Sequence, residues 1–225
     1  MGGRQDVLTA VAWAVSRLAT QGVVRVAIDG VDGAGKTYFA DELADALKAL
    51  GRSVIRASVD GFHNSRAIRY QKGRNSPEGF FHDSYDYAQL KAVLLDPLGP
   101  GGNGRYRVAV FDHRSDSPIQ AQTQTAAPGE ILLLDGIFLH RPELRAYWDY
   151  SIFLDVRFAV SIPRGAHRDD SSPDPGAASN RRYVRGQELY LRSSEPKRFA
   201  TIIVNNDNLL SPCIVERGHG GAGSG

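Results

Sequence analysis

Cysteine is nearly absent from this chain: Cys213 is the only one among 225 residues. A lone thiol excludes an internal disulfide framework and fits a reducing compartment, so a cytoplasmic location is expected. No apolar run approaches the ~20 residues that cross a bilayer, and no basic segment followed by an apolar core opens the sequence, so no membrane partner is expected. Charge of one sign is lacking too. The 27 basic and 25 acidic residues leave +2, which gives no footprint for a nucleic-acid partner. Internal repeats are missing, and the length suits one well-buried domain, expected over 1–216 with a flexible low-complexity tail at 217–225.

What is present is a glycine-rich turn between an apolar run and an amphipathic one. Val23 to Thr37 reads VVRVAIDGVDGAGKT and fits the pattern Gly, four residues, Gly, Lys, Ser or Thr at Gly30, Gly35, Lys36 and Thr37. Gly30, Gly33 and Gly35 allow the tight turn that aims the amide N–H groups of a loop running through Asp32 and Ala34 at phosphate oxygens. Lys36 is expected to neutralise phosphate, and the Thr37 hydroxyl to complete the shell of a Mg²⁺ ion. The flanks agree with a strand at Val23–Ile28 and a helix at Tyr38–Leu50, the latter apolar at Phe39, Leu43, Ala46, Leu47 and Leu50.

The rest of the chain alternates in the same manner. A helix is expected over Asp6–Thr20, followed by further strands at Ser53–Val59, Glu130–Leu134, Tyr150–Leu154 and Ala200–Val204, with Tyr106–Phe111 a short strand or hairpin arm. Strands alternating with helices imply an α/β fold: a parallel sheet of about five strands with helices on both faces. Ligands of such sheets lie beyond the carboxyl ends of the strands, which is where Asp60 and Asp135 fall. Asp135 is expected to hold Mg²⁺ with Thr37, directly or through water. Residues 61–87 are polar, aromatic and irregular, as a substrate-binding insert would be. Asp169 to Ser179 is a proline- and serine-rich loop with Arg164 and Arg168 before it and Arg181, Arg182 and Arg185 after it. Over about 164–185 this composition predicts a mobile lid whose arginines stabilise a transferring phosphoryl group. The helix of Val156–Arg168 is expected to be interrupted at Pro163 and Gly165.

The loop wording GVDGAGKT resembles thymidylate kinases, but four downstream segments resemble the uridine kinase, phosphoribulokinase and pantothenate kinase group. These are DGFH at Asp60–His63, SPEGFFHDSYDYAQL at Ser76–Leu90, ILLLDGIFL at Ile131–Leu139 and EPKRFATIIV at Glu195–Val204. The resemblance implies a P-loop NTPase fold and ATP- and Mg²⁺-dependent transfer of the γ-phosphoryl group to a hydroxyl of a small molecule. Asp60 would deprotonate that hydroxyl, assisted by Lys36 and a lid arginine, Arg168. Asp83 would hold the acceptor's hydroxyls, in a pocket shared with His63, Phe111, Arg164 and Arg182. In uridine kinases a Tyr and a His contact the base; those positions hold Phe111 and Asp116 here, with His113 out of register. A uridine-contacting glutamine falls at Arg182, and the first of two lid arginines falls at Gly165 beside Arg164. A nucleoside such as uridine or cytidine is favoured modestly over pantothenate or a sugar. A nucleoside monophosphate kinase and a non-catalytic nucleotide-binding regulator stay open as alternatives, as does a homo-oligomer.

Overall fold

The computed structural model describes residues 3–19, 22–169 and 172–215, and of residues 167–169 the backbone alone. Strands β1 (Val24–Gly30), β2 (Val54–Ser58), β3 (Ile131–Gly136), β4 (Tyr150–Asp155) and β5 (Ile202–Asn205) lie parallel. The edge strand β6 (Cys213–Val215), absent from the sequence reading, pairs antiparallel with β5, and the spatial order is β6-β5-β4-β1-β3-β2. The central strands are apolar on both faces because both are covered, as parallel sheets require. Side chains alternate between the two sides. Val24, Val26, Ile28, Ile131 and Leu133 pack with helices α1 (Arg4–Ser16) and α2 (Lys36–Ala49), while Ala27, Leu132 and Leu134 pack with Phe62, Phe80, Phe81, Phe138 and Leu94.

Several expected elements change on folding. The first helix ends at Ser16, short of Thr20. The insert 61–87 is not irregular throughout: it holds a helical turn at Arg66–Arg69 and helix α3 (Pro77–Asp83), which starts where Ser76 caps Gly79 N–H at 3.0 Å and Pro77 fits the first turn. Tyr106–Phe111 does not form one arm. Arg105–Tyr106 pairs with Gln124–Thr125, and Phe111–Asp112 pairs with Ser117–Pro118, both outside the main sheet. Helix α4 (Phe158–Asp169) runs through Pro163 and Gly165 instead of breaking there. Proline removes one backbone bond and crowds the preceding turn, an effect that the surrounding helix absorbs here. Helix α5 spans Arg181–Ser194. The tail 217–225 lies outside the described residues.

Candidate active site

Register brings the chemistry together. Ile28 of β1 pairs with Asp135, Ser58 of β2 also pairs with Asp135, and Gly30 pairs with Leu154 of β4. The loop after β1, the 3₁₀ turn Val59–Phe62 after β2 and the end of β3 therefore lie together at the carboxyl ends of the parallel strands. Gly136 permits the turn to pack there: a Cβ on it would lie 2.2 Å from Val59 Cγ1.

The loop Val31–Gly35 has the form of an anion cradle. Gly33 has φ +72°, and a Cβ on it would lie 2.0 Å from the Ser161 carbonyl oxygen of α4. Helix α2 starts at Lys36, directly behind Gly35, and directs its first amides toward the loop. Lys36 Nζ donates to the Val31 carbonyl at 2.8 Å, Asp32 N–H donates to Gln187 Oε1 of α5 at 2.5 Å, and Asn206 Nδ2 donates to the Ala34 carbonyl at 2.8 Å. Thr37 Oγ1 donates to Asp135 Oδ2 at 2.9 Å, and the other oxygen of Asp135 accepts from Arg56 Nη2 at 3.0 Å. Only 4% of the Asp135 side chain is exposed. A hydroxyl and a carboxylate in contact below a glycine cradle suit a Mg²⁺ ion shared with bound phosphates, which supply the remaining oxygens. Among the described residues no cluster of three or more His, Cys, Asp or Glu is placed to hold a metal.

Asp60 stands in the 3₁₀ turn with 59% of its side chain exposed. Tyr85 OH donates to Asp60 Oδ1 at 3.1 Å. Burial, then the nearby Asp60 charge, push the Tyr85 phenol well above its ordinary value, so it stays a proton donor. His63 Nδ1 donates to the Asp60 carbonyl at 2.9 Å, and its ring stacks on His113 with centroids 4.7 Å apart. Burial lowers the His63 pKa, which keeps the ring neutral at pH 7.

The other expected residues have partners of their own. Asp83 pairs with Lys72 at 2.7 Å, and Phe111 is half-buried in its short strand pair. Arg164 is turned away from the insert: its guanidinium donates to the carbonyls of Asn206, at 3.0 Å, and Asp207. Arg182 is 7% exposed and donates to the Arg74 carbonyl at 2.6 Å, its guanidinium lying over the Tyr70 ring. Each thus spends part of its guanidinium on backbone carbonyls, while Arg182 Nε is buried without a hydrogen-bond partner and Arg182 also lines a cavity of about 630 Å³ with Arg181 and Arg185. The Arg168 side chain lies outside the described residues.

Sequence reasoning missed a buried network behind the loop. Asp29, fully buried in β1, accepts from Gly30 N–H at 2.7 Å, from His140 Nδ1 at 2.7 Å and from the Tyr190 hydroxyl of α5. It ties the loop, the segment after β3 and the lid-side helix to one carboxylate. The available signal was an acidic residue inside an apolar strand. Asp29→Ala is expected to lower unfolding free energy by about 3 kcal/mol, because the Gly30 and His140 N–H groups, His140 Nδ1 and the Tyr190 hydroxyl lose a buried acceptor. Denaturant midpoints would read this, and Asp29→Asn should lose less.

Comparison with known proteins agrees with this arrangement. A stretch of the Arabidopsis thaliana protein named inorganic pyrophosphatase TTM2 is 30% identical over 150 residues, 66% of this chain but only 19% of that protein, so the chain spans about a fifth of that relative's length. The uridine kinase of Shewanella baltica (strain OS185) is 27% identical over 197 residues, which cover 82% of this chain and 88% of that one. The structure described as a possible uridine kinase from Bacillus stearothermophilus superposes with a TM-score of 0.70 at 22% identity, covering 88% of this chain and 97% of the other. The family model described as phosphoribulokinase / uridine kinase matches residues 25–173, from β1 through the loop after α4. With that match over most of the chain, and the P-loop α/β fold around it, the protein belongs to the phosphoribulokinase/uridine kinase family of P-loop kinases.

Proposed function

We propose that the protein transfers the γ-phosphoryl group of ATP to a hydroxyl of a small metabolite, with Asp60 as the base. The observation that carries this reading is the juxtaposition of an exposed carboxylate after β2 with a phosphate cradle after β1 and a buried carboxylate on Thr37 at the end of β3. Residues 61–87 act as the acceptor-binding insert and 164–185 as the lid.

The loop amides and Lys36 hold the β and γ phosphates. Lys36 moves from the Val31 carbonyl to phosphate when the nucleotide enters. Thr37 and Asp135 would hold Mg²⁺, which when bound supplies charge neutralisation on the phosphates. Asp60 accepts the proton of the acceptor hydroxyl as the new oxygen–phosphorus bond forms and the bond to the β-phosphate oxygen breaks; ADP departs, and the proton leaves Asp60 to solvent. Tyr85 holds the Asp60 carboxylate toward the insert.

The uridine kinase relative makes a nucleoside such as uridine or cytidine the first neutral acceptor to test. ADP release should be measured over a panel of nucleosides, sugars, pantothenate and their charged derivatives. Acceptor-dependent, Mg²⁺-dependent release is expected, with Asp135→Asn lowering kcat at least tenfold and raising the Mg²⁺ concentration needed for half-maximal rate. Tight ATP binding with no transfer to any acceptor would leave a nucleotide-binding regulator instead.

A further inference from the structure

Resting on the kinase reading, we propose that the acceptor is a hydroxyl compound bearing an anionic head group, a phosphate monoester or a carboxylate. An arginine-lined cavity beside Asp60 would hold that head. The cavity has a volume of about 440 Å³ and is lined by Arg66, Arg69, Tyr70, Arg74, His113 and Arg114. It adjoins the base through rings: His113 stacks on His63, and His63 is bonded to the Asp60 backbone.

The wall chemistry is selective. Guanidinium groups only donate, so they cannot satisfy the N3–H of uracil, whereas their forked donors match the oxygens of phosphate or carboxylate. The local charge is also unbalanced. Two carboxylates touch these arginines: Asp116 accepts from Arg66 N–H at 2.8 Å and from Arg69 Nη2 at 3.5 Å, and Asp112 accepts from Arg114 N–H at 2.9 Å. Among the described residues, Arg66, Arg74 and Arg114 have no carboxylate within ion-pair distance, and Arg69 Nε is buried without a hydrogen-bond partner. Four guanidinium groups thus meet two carboxylates, of which only Asp116 reaches a guanidinium, in a chain whose net charge is only +2.

The arginines are already positioned. Arg69 and Arg74 lie over the Tyr70 ring at 5.5 and 5.7 Å from its centroid, and Arg66 Nη2 donates to the Arg114 carbonyl at 3.0 Å. Like charges assembled this closely repel one another, and an anion between them relieves the repulsion while satisfying the unpaired donors. The same field raises the local concentration of charged acceptors.

The test compares matched acceptors: ribose 5-phosphate against ribose, glycerate against glycerol, and uridine monophosphate against uridine. The charged member of at least one pair is expected to exceed its neutral partner roughly 100-fold in kcat/KM, and the pair that shows it distinguishes phosphate from carboxylate. Arg69→Gln and the exposed Arg114→Gln should each raise the acceptor KM at least tenfold while the KM for ATP stays constant. Neutral acceptors turned over as well as charged ones, with KM unchanged in both variants, would overturn the proposal and leave the kinase reading standing. If no acceptor is consumed, the kinase reading fails by itself, and calorimetry with ribose 5-phosphate and glycerate decides the anion site. Binding weakened at least tenfold in both variants supports it; absence of binding, or binding indifferent to both, overturns it.

Discussion

Asp60→Asn is expected to lower kcat about a thousandfold while ATP affinity stays within a factor of two, an effect in the range that a positioned general base contributes. Asparagine keeps the size of the side chain and can still accept from Tyr85 OH, so the 3₁₀ turn loses no contact. The residue is 59% exposed, and its backbone bonds to Ser58 and His63 do not involve the carboxylate. What the variant removes is the capacity to take a proton. Single-turnover transfer and calorimetric ATP binding separate the two effects. Turnover within tenfold of the parent would remove Asp60 from the base role.

Gly33→Ala is expected to weaken ATP binding at least 100-fold, for two reasons that act together. An added Cβ would stand 2.0 Å from the Ser161 carbonyl oxygen, and φ +72° is a region that side chains other than glycine seldom adopt. Because Ser161 is fully buried in α4, the loop rather than the helix must give way. The displaced loop no longer aims its amides at one phosphate, and its Asp32 N–H also loses register with Gln187 of α5. Global stability should fall far less than affinity does, since the strained atoms belong to one turn. Nucleotide titration beside thermal melting checks this; an unchanged ATP affinity would show that the loop accommodates a side chain.

Much of the fold was legible in local pattern. The runs at Val23–Ile28, Glu130–Leu134 and Tyr150–Leu154 could satisfy their apolar side chains only between two covered faces, and they form the centre of the sheet. The loop was legible because glycine, lysine and threonine at fixed spacing encode a backbone shape rather than a packing arrangement. Tyr106–Phe111 was misread because alternation in a short segment does not reveal whether a partner strand exists; its pairs are two residues long and lie off the main sheet.

The acceptor pocket was the least legible part. Arg164 and Arg182 stood at suitable positions in sequence, yet the carbonyls they reach belong to Asn206, Asp207 and Arg74, dozens of residues away. Likewise Arg114 joins Arg66 and Arg69 at one cavity only because the short strand pair at Phe111–Asp112 returns beside the 3₁₀ turn. By itself the sequence determined a parallel α/β fold, a phosphate loop and two acidic strand ends, all consequences of local periodicity and backbone freedom. The tertiary structure alone decided which carbonyls and which cavity each arginine meets, because a guanidinium's partner is set by distance in space and not by spacing along the chain.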